Sequence, residues 1–520
     1  MKKEIIMSGK GSFYITTPIY YVNDIPHIGH AYTTLACDVL ARFKRLDGYD
    51  VMFLTGTDEH GQKVEKSAEA AGKTPIEFCD QVSKRFRELA KFMNFSNDDF
   101  IRTTEERHKI ACQALWTKLE ENGHIYLDKY SGWYSVRDEA FYGEKELLEI
   151  NNEKVAPTGA PVEWVEEESY FFRLSAFEDK LLEFYENLDP TVLPKSRKNE
   201  VKSFVEGGLR DLSVSRTSFK WGVPVPGNDK HIMYVWIDAL TNYMTAAGYP
   251  NTDGELFQKF WPADIHMVGK DILRFHALYW PAFLMGAGIE PAKRVFAHGW
   301  WTNEGQKISK SLGNVIDPFE IVEEFGLDQV RYFLMREVPF GNDGDFNQQG
   351  MINRINSDLA NDLGNLAQRS LSMIFKNCEG VMPTPGDHLD ADKEILNAAD
   401  ALLPIVREYM DVQAFNKSLE AIWKVVSDAN GYFAGEEPWA LKKTDPERMA
   451  TVLYTTAEII RQIAIMAQPI MPESAAKLLD QLKVPLDERG FDQLGGDHRL
   501  ASGTEMEKPE GVFPRYVADT

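Results

Sequence analysis

Between Phe13 and Met93 the chain alternates short β-branched or aromatic runs with longer runs of helical period. That order demands a parallel sheet with crossover helices. Phe13 to Thr17, ended by Pro18, reads as a strand entering a loop that holds Asn23, Asp24 and Pro26. A helix is expected from about His27 to Asp47, stopped at Gly48, and Val51 to Thr55 is the next strand. Thr74 can cap a further helix, with Pro75 in its first turn and Glu77 completing a capping box. Phe78, Val82, Phe86, Leu89 and Met93 give that helix one buried face.

The alternation lapses between about Leu119 and Lys220, where Trp133, Tyr134, Phe141, Tyr142, Trp164, Tyr170 and neighbouring aromatics crowd among Glu, Gly and Pro. An inserted, mostly antiparallel subdomain is expected there. Strands are expected again at Met233 to Ile237, Ile265 to Val268 and Arg294 to Ala297. From Asn347 the apolar spacing is helical nearly throughout, notably over 411–428 and 448–466. The fold class is thus a Rossmann-like α/β domain with an inserted connective subdomain, followed by an all-α bundle. The expected divisions are 1–118, 119–220, 221–298, 299–346 and 347–520, the fourth being a loop and stem-contact region.

At 520 residues the chain is too long for one core, and its 43% hydrophobic and 26% charged composition is that of a folded protein. No apolar run reaches the roughly 18 residues of a membrane span, and the polar N-terminus reads as no signal peptide. Cys37, Cys79, Cys112 and Cys378 are too scattered for a metal pair or a redox motif. They suggest a reducing compartment. The net charge of −23 speaks against a nucleic-acid partner when taken alone.

Two basic clusters carry the chemistry. His27, Ile28, Gly29 and His30 stand where the first strand's loop meets its helix, and a helix N-terminus attracts phosphate. Gly29 leaves the backbone bare, so that a flat base could approach. By themselves these four residues read equally well as surface histidines beside a turn. Lys307, Ile308, Ser309, Lys310 and Ser311 lie in a loop framed by Gly305 and Gly313. Two lysines three apart suit a mobile loop that closes on a polyphosphate.

Together the two clusters resemble the HIGH and KMSKS motifs of the class I aminoacyl-tRNA synthetases, with Ile308 in place of the usual Met. Thr17–Asn23, Thr55–Gly61, Tyr234–Ala239, Val268–Ile272 and His298–Trp300 are similar to segments of the methionyl-tRNA synthetase family. The resemblance spans essentially the whole chain. It implies ligation of methionine to tRNA(Met), initiator tRNA included, with ATP and its Mg2+ as substrate. His27, His30, Lys307, Lys310 and Arg210 would be catalytic, with Arg216 a second candidate for the arginine. Ile19, Tyr21, Asp58, Trp236, Ala239, Leu240, Tyr243, Ile272, Phe275 and His276 would hold methionine. Asp58 would meet the ammonium, while the Ile19 N–H and Tyr243 hydroxyl would face the sulfur. ATP would fall to His27, Gly29, His30, Gly269, Asp271, Lys307 and Lys310. Asn365, Arg369 and Trp439 would read the anticodon.

The family's zinc knuckle departs from pattern. Ser135, Asp138, Val155 and Thr158 occupy the positions where cysteines are expected, so no structural zinc is expected. Rival readings are a class I synthetase for leucine, isoleucine or valine, a small-molecule nucleotidyltransferase with the same helix start, and an inactive tRNA-binding paralogue. The insert leaves little room for the first group's editing domain, and the nucleotidyltransferase has no use for the helical region. Intact lysines and histidines speak against the paralogue. A cytoplasmic monomer with no membrane association is expected. Acidic residues also outnumber basic ones in the helical region. RNA binding there must rest on small patches, such as Lys195–Lys198 and Lys442 with Lys443, and on base stacking.

Overall fold

The computed structural model of the chain describes residues 10–22, 25–138, 140–150, 153–188, 190–308 and 313–517. They fall into two compact units, one of Ser12–Pro26 and Met52–His298, the other of Met1–Gly11, His27–Val51 and Gly299–Thr520.

The first unit is built on a seven-stranded sheet. Its leading strands are β1 (Ser12–Thr16), β2 (Tyr20–Tyr21), β3 (Asp50–Asp58) and β4 (Asp99–Arg102). The order is Val192–Leu193, Val295–His298, Ile265–Gly269, β1, β3, β2, with β4 also on β3. β1 pairs in parallel with Ile265–Gly269 (Ile15 opposite Ile265), and β3 pairs in parallel with β4 (Thr55 opposite Phe100). Residues buried on both faces explain why these strands read as continuous apolar runs. Gly56 is required for the approach of β4, because a Cβ there would lie 2.1 Å from the Ile101 carbonyl oxygen. The chain leaves β1 toward β3 on one side and reaches Ile265–Gly269 on the other. β1 is therefore the switch point, and its carboxyl edge is where such sheets bind ligands.

Two expectations are corrected. Met233 to Ile237 is not a strand: a strand ends at Met233 and a helix runs over Val235–Ala246. The strand Asn228–Met233 belongs to a small antiparallel sheet and not to the parallel one. A short buried apolar run does not reveal its own period. Within the stretch expected as the insert, Val192–Leu193 pairs with Val295–His298 in the main sheet. The antiparallel insert proper is the ladder of Ile125–Ser135 with Glu163–Phe172 and the strands flanking it.

In that insert, Ser135 Oγ accepts the Asp138 N–H at 3.2 Å, and Asp138 Oδ2 accepts from Tyr142 Oη at 3.0 Å and from Thr158 Oγ1. Arg137 Nη2 donates to the Thr158 carbonyl at 2.8 Å. Val155, at the third position, is buried and apolar. These donors and acceptors are committed to one another, and the set does not fit a zinc ion, which needs four thiolate, imidazole or carboxylate ligands.

The second unit contains helix α1 (Ile28–Leu46) and, from Pro318 on, is almost wholly helical. A three-stranded sheet joins Trp301–Asn303 and Gln306–Lys307, before the first of those helices, to Gly344–Phe346, after the second. No helix among the described residues is long and apolar enough to cross a membrane.

Candidate active site

α1 begins with an unusual cap. His27 Nδ1 accepts the Gly29 N–H and His30 Nδ1 accepts the His27 N–H, both at 3.1 Å. The two imidazoles thus do what Ser and Glu do in an ordinary capping box. A ring nitrogen that accepts carries no proton, so each neutral ring holds its hydrogen on Nε2 and can donate there to an anion. The ring centroids lie 3.9 Å apart. Burial, then the neighbouring His27, pushes the His30 imidazole well below its usual range, so it acts as a neutral donor. A Cβ on Gly29 would sit 3.0 Å from His27 Cε1, so Gly29 makes room for the capping ring as well as for a ligand. In the same unit Lys307 ends the strand Gln306–Lys307, exposed, its Nζ 5.7 Å from the centre of the Trp300 ring. Lys310 lies outside the described residues.

The sheet unit gathers the remaining candidates at the carboxyl edge. β1 leads into Ile19 and Tyr21, β3 ends at Asp58, and Ile265–Gly269 leads into Asp271 and Ile272. Gly269 is confined by its neighbour, since a Cβ there would approach Asp271 Oδ1 to 2.5 Å. Trp236 lies flat on Phe275, with ring centroids 3.5 Å apart and planes 7° from parallel. Tyr243 is fully buried and held on three sides. Its carbonyl accepts from Tyr14 Oη at 2.8 Å, its ring stacks on His266 at 4.1 Å, and its hydroxyl lies 2.7 Å from His276 Nε2. His276 Nδ1 is 2.9 Å from the Ile272 carbonyl, which can only accept. The ring proton is therefore on Nδ1, and Tyr243 donates to Nε2. Burial pushes His276 down to about 4, the bond to Ile272 offsetting it only in part. This is the hydroxyl expected to face a thioether.

Sequence reasoning missed what fixes these walls. Asp238, next but one to Trp236, is buried between His60 Nδ1 at 2.6 Å and His108 Nε2 at 2.8 Å. Burial alone would raise its carboxyl. The charge of His60 and bonds from both rings outweigh that and hold it well below the carboxylate range. Glu59 is taken up by Arg102 at 2.7 Å, Thr57 at 2.8 Å and Thr104 at 2.5 Å. Of three successive polar residues, Glu59 and His60 are thus structural, and the loop positions Asp58.

Arg210 is exposed, its guanidinium 3.9 Å from where a Cβ on Gly143 would lie. Arg216 is buried, its Nη1 donating to Ser213 Oγ at 2.7 Å and to the Ser215 carbonyl at 2.6 Å. Its guanidinium lies 4.2 Å from the centre of the Tyr234 ring, at the start of the helix that carries Trp236. Of the two candidate arginines, Arg216 is held by the elements that carry Trp236, whereas Arg210 stands at the surface. In the helical unit, Arg369 reaches over Trp439 (5.6 Å) and Phe433 (5.2 Å), with Asn365 one turn before it on the same helix. Trp439 is 45% exposed.

A switch-point sheet with a capped HIGH-type helix and a lysine loop defines a class I aminoacyl-tRNA synthetase. The family model described as tRNA synthetases class I (M) matches residues 13–151 and 145–371, and that of the anticodon binding domain of methionyl tRNA ligase matches 382–520. The chain belongs to the methionyl-tRNA synthetase family. It is 60% identical over 507 residues to a methionine–tRNA ligase of Brucella suis, covering 97% of this chain and 98% of that one. Against that of Rhizobium meliloti the identity is 59%, covering 98% and 99%. A crystal structure of Mycobacterium tuberculosis methionyl-tRNA synthetase bound by methionyl-adenylate superposes with a TM-score of 0.94 at 54% identity. It covers 97% of this chain and 100% of that one.

Proposed function

We propose that this chain ligates methionine to tRNA(Met), initiator tRNA included, through a methionyl-adenylate. The methionine carboxylate attacks the α-phosphate of ATP and pyrophosphate leaves. The 2′-hydroxyl of the terminal ribose then takes the methionyl group. Little acid–base chemistry is required, so positioning and charge stabilisation carry the rate. His27 and His30 donate from Nε2 to phosphate oxygens, Lys307 and Lys310 follow the charge on the leaving group, and Arg216 neutralises the reacting carboxylate and phosphate. Gly269 and Asp271 take the adenosine, Asp271 through the ribose hydroxyls. Magnesium enters with ATP as part of the substrate.

Asp58 holds the methionine ammonium. The thioether chain lies among Ile19, Tyr21, Trp236, Ala239, Leu240, Tyr243, Ile272, Phe275 and His276, with the Ile19 N–H as a donor to sulfur. One methylene is worth only about 1–3 kcal/mol in such a pocket, so homocysteine is activated at a measurable rate. Trp439 stacks on an anticodon base, while Asn365 and Arg369 bond to base edges. We take the insert to be zinc-free and the protein to be a cytoplasmic monomer.

The observation that carries the reading is the Tyr243–His276 pair, a hydrogen bond of 2.7 Å between two buried side chains among the residues assigned to methionine. Amino-acid-dependent ATP–pyrophosphate exchange across all twenty amino acids tests it. Exchange is expected with methionine, and exchange with leucine or cysteine in its place overturns the specificity.

A further inference from the structure

The geometry points to Asp38 and Arg331 as positioning residues for the histidines at the start of α1. The inference rests on the reading of His27 and His30 as phosphate donors.

Asp38 lies about 12 Å along the helix axis from His30, and its side chain is fully buried. Its Oδ2 accepts from Arg331 Nη2 at 2.7 Å and from Arg42 Nε at 2.8 Å. Arg331, in the helix Leu327–Arg336, is equally buried. It turns Nε to the Ile470 carbonyl at 2.7 Å and Nη2 to the Pro469 carbonyl at 3.0 Å. Those carbonyls lie just beyond the helix Pro446–Ala467. One guanidinium therefore joins α1, a helix downstream of the lysine loop, and a turn of the anticodon-binding region.

A buried ion pair adds little stability over apolar packing of the same shape, and its best-attested use is to fix register. The rest of α1 is attached to the same region. Phe43 packs on Phe491 with ring centroids 4.9 Å apart, Arg407 Nε donates to Asp47 at 3.0 Å, and Lys44 pairs with Asp411 at 2.7 Å. Those groups are apolar or lie nearer the surface, whereas the Asp38–Arg331 pair is fully buried and directional. α1 runs unbroken from Ile28 to Leu46, so a displacement at Asp38 is carried to the capped end. Shifts of about 1 Å in groups that contact a reacting phosphate cost on the order of a hundredfold in rate.

The test is ATP–pyrophosphate exchange by full-length Arg331→Met, Asp38→Asn and the double variant, with His30→Ala as control. Each single variant is expected to lose about tenfold or more in kcat while the methionine KM stays within about twofold. The methionine-pocket residues belong to the other unit. The double variant is expected to be no worse than Arg331→Met, since the pair acts as one link. An unchanged kcat in folded variants, or a methionine KM that rises in step with the kcat loss, overturns the inference. If His30→Ala exchanges normally, the reading of the histidines fails first. If it is inactive while the pair variants are normal, only the inference fails. Should Arg331→Met not fold, Arg407→Ala loosens the far end of α1. It is expected to lower kcat about threefold at constant methionine KM, and no change in kcat there also overturns the proposal.

Discussion

The Tyr243 hydroxyl donates a hydrogen bond to Nε2 of His276 at 2.7 Å, and the His276 Nδ1–H donates in turn to the Ile272 carbonyl. The chain of donors has one direction, so a thioether can receive the tyrosine proton only in competition with the histidine. Tyr243→Phe should therefore raise the methionine KM modestly, about three- to tenfold for one net hydrogen bond, with kcat nearly unchanged. Steady-state exchange kinetics check this, and a KM rise above a hundredfold would mean that the sulfur contact dominates.

The same histidine sets an acid limit on stability. His276 titrates near 4 when folded and near 6.5 when unfolded. The unfolded chain binds the extra proton between those values, so stability falls as pH drops from about 6.5 to about 4, by on the order of 3 kcal/mol. Asp238, held below its unfolded value near 4, contributes in full across that window, and its share is lost only at lower pH. Urea midpoints at pH 7, 5.5 and 4.5 should fall in order, and His276→Gln should flatten the trend.

Exposure separates two arginines six residues apart. Arg216→Ala should cut pyrophosphate exchange by about a hundredfold or more, as loss of a fixed cation beside developing charge does. Arg210→Ala should stay within about threefold of the parent, the scale of an exposed charge. Equal losses in both variants would return Arg210 to the site.

Much of this was legible in advance, and the gaps have physical causes. The capping box of Thr74 with Glu77 and the end of α1 before Gly48 are local signals, and the structure carries both. Val235, Trp236 and Ile237 give no strand-or-helix signal of their own, because three successive apolar residues have no visible period. His60 and His108 meet Asp238 from 178 and 130 residues away, a pairing that no spacing rule reaches. The choice between Arg210 and Arg216 turns on burial, which two arginines in one short segment do not disclose.

With the role proposed for Lys310, Lys310→Ala should depress adenylate formation strongly while leaving methionine affinity nearly intact, since charge on the leaving pyrophosphate appears only in the transition state. Single-turnover formation of the adenylate, measured beside equilibrium methionine binding, separates the two. A normal exchange rate would remove the lysine loop from the mechanism.

The hydrogen-bonded cluster around Asp138 should make the insert indifferent to chelators. Incubation with EDTA is expected to leave both melting and exchange unchanged. Asp138→Ala should cost about 1–2 kcal/mol, the scale of a few partly exposed hydrogen bonds. A chelator-induced drop in melting temperature, or zinc at one equivalent in the purified protein, would contradict this.

The distance in sequence between Asp38 and its buried partner, 293 residues, also sets a timetable. At roughly 5–20 residues per second on the ribosome, α1 emerges about 15–60 seconds before Arg331 exists, and longer before Pro469 and Ile470 do. Through that interval the carboxylate can draw on Arg42, one turn along its own helix. The helix bearing the histidines thus reaches its final packing only when synthesis is nearly complete, and a truncated chain, however well its sheet has formed, lacks the partners that seat that helix.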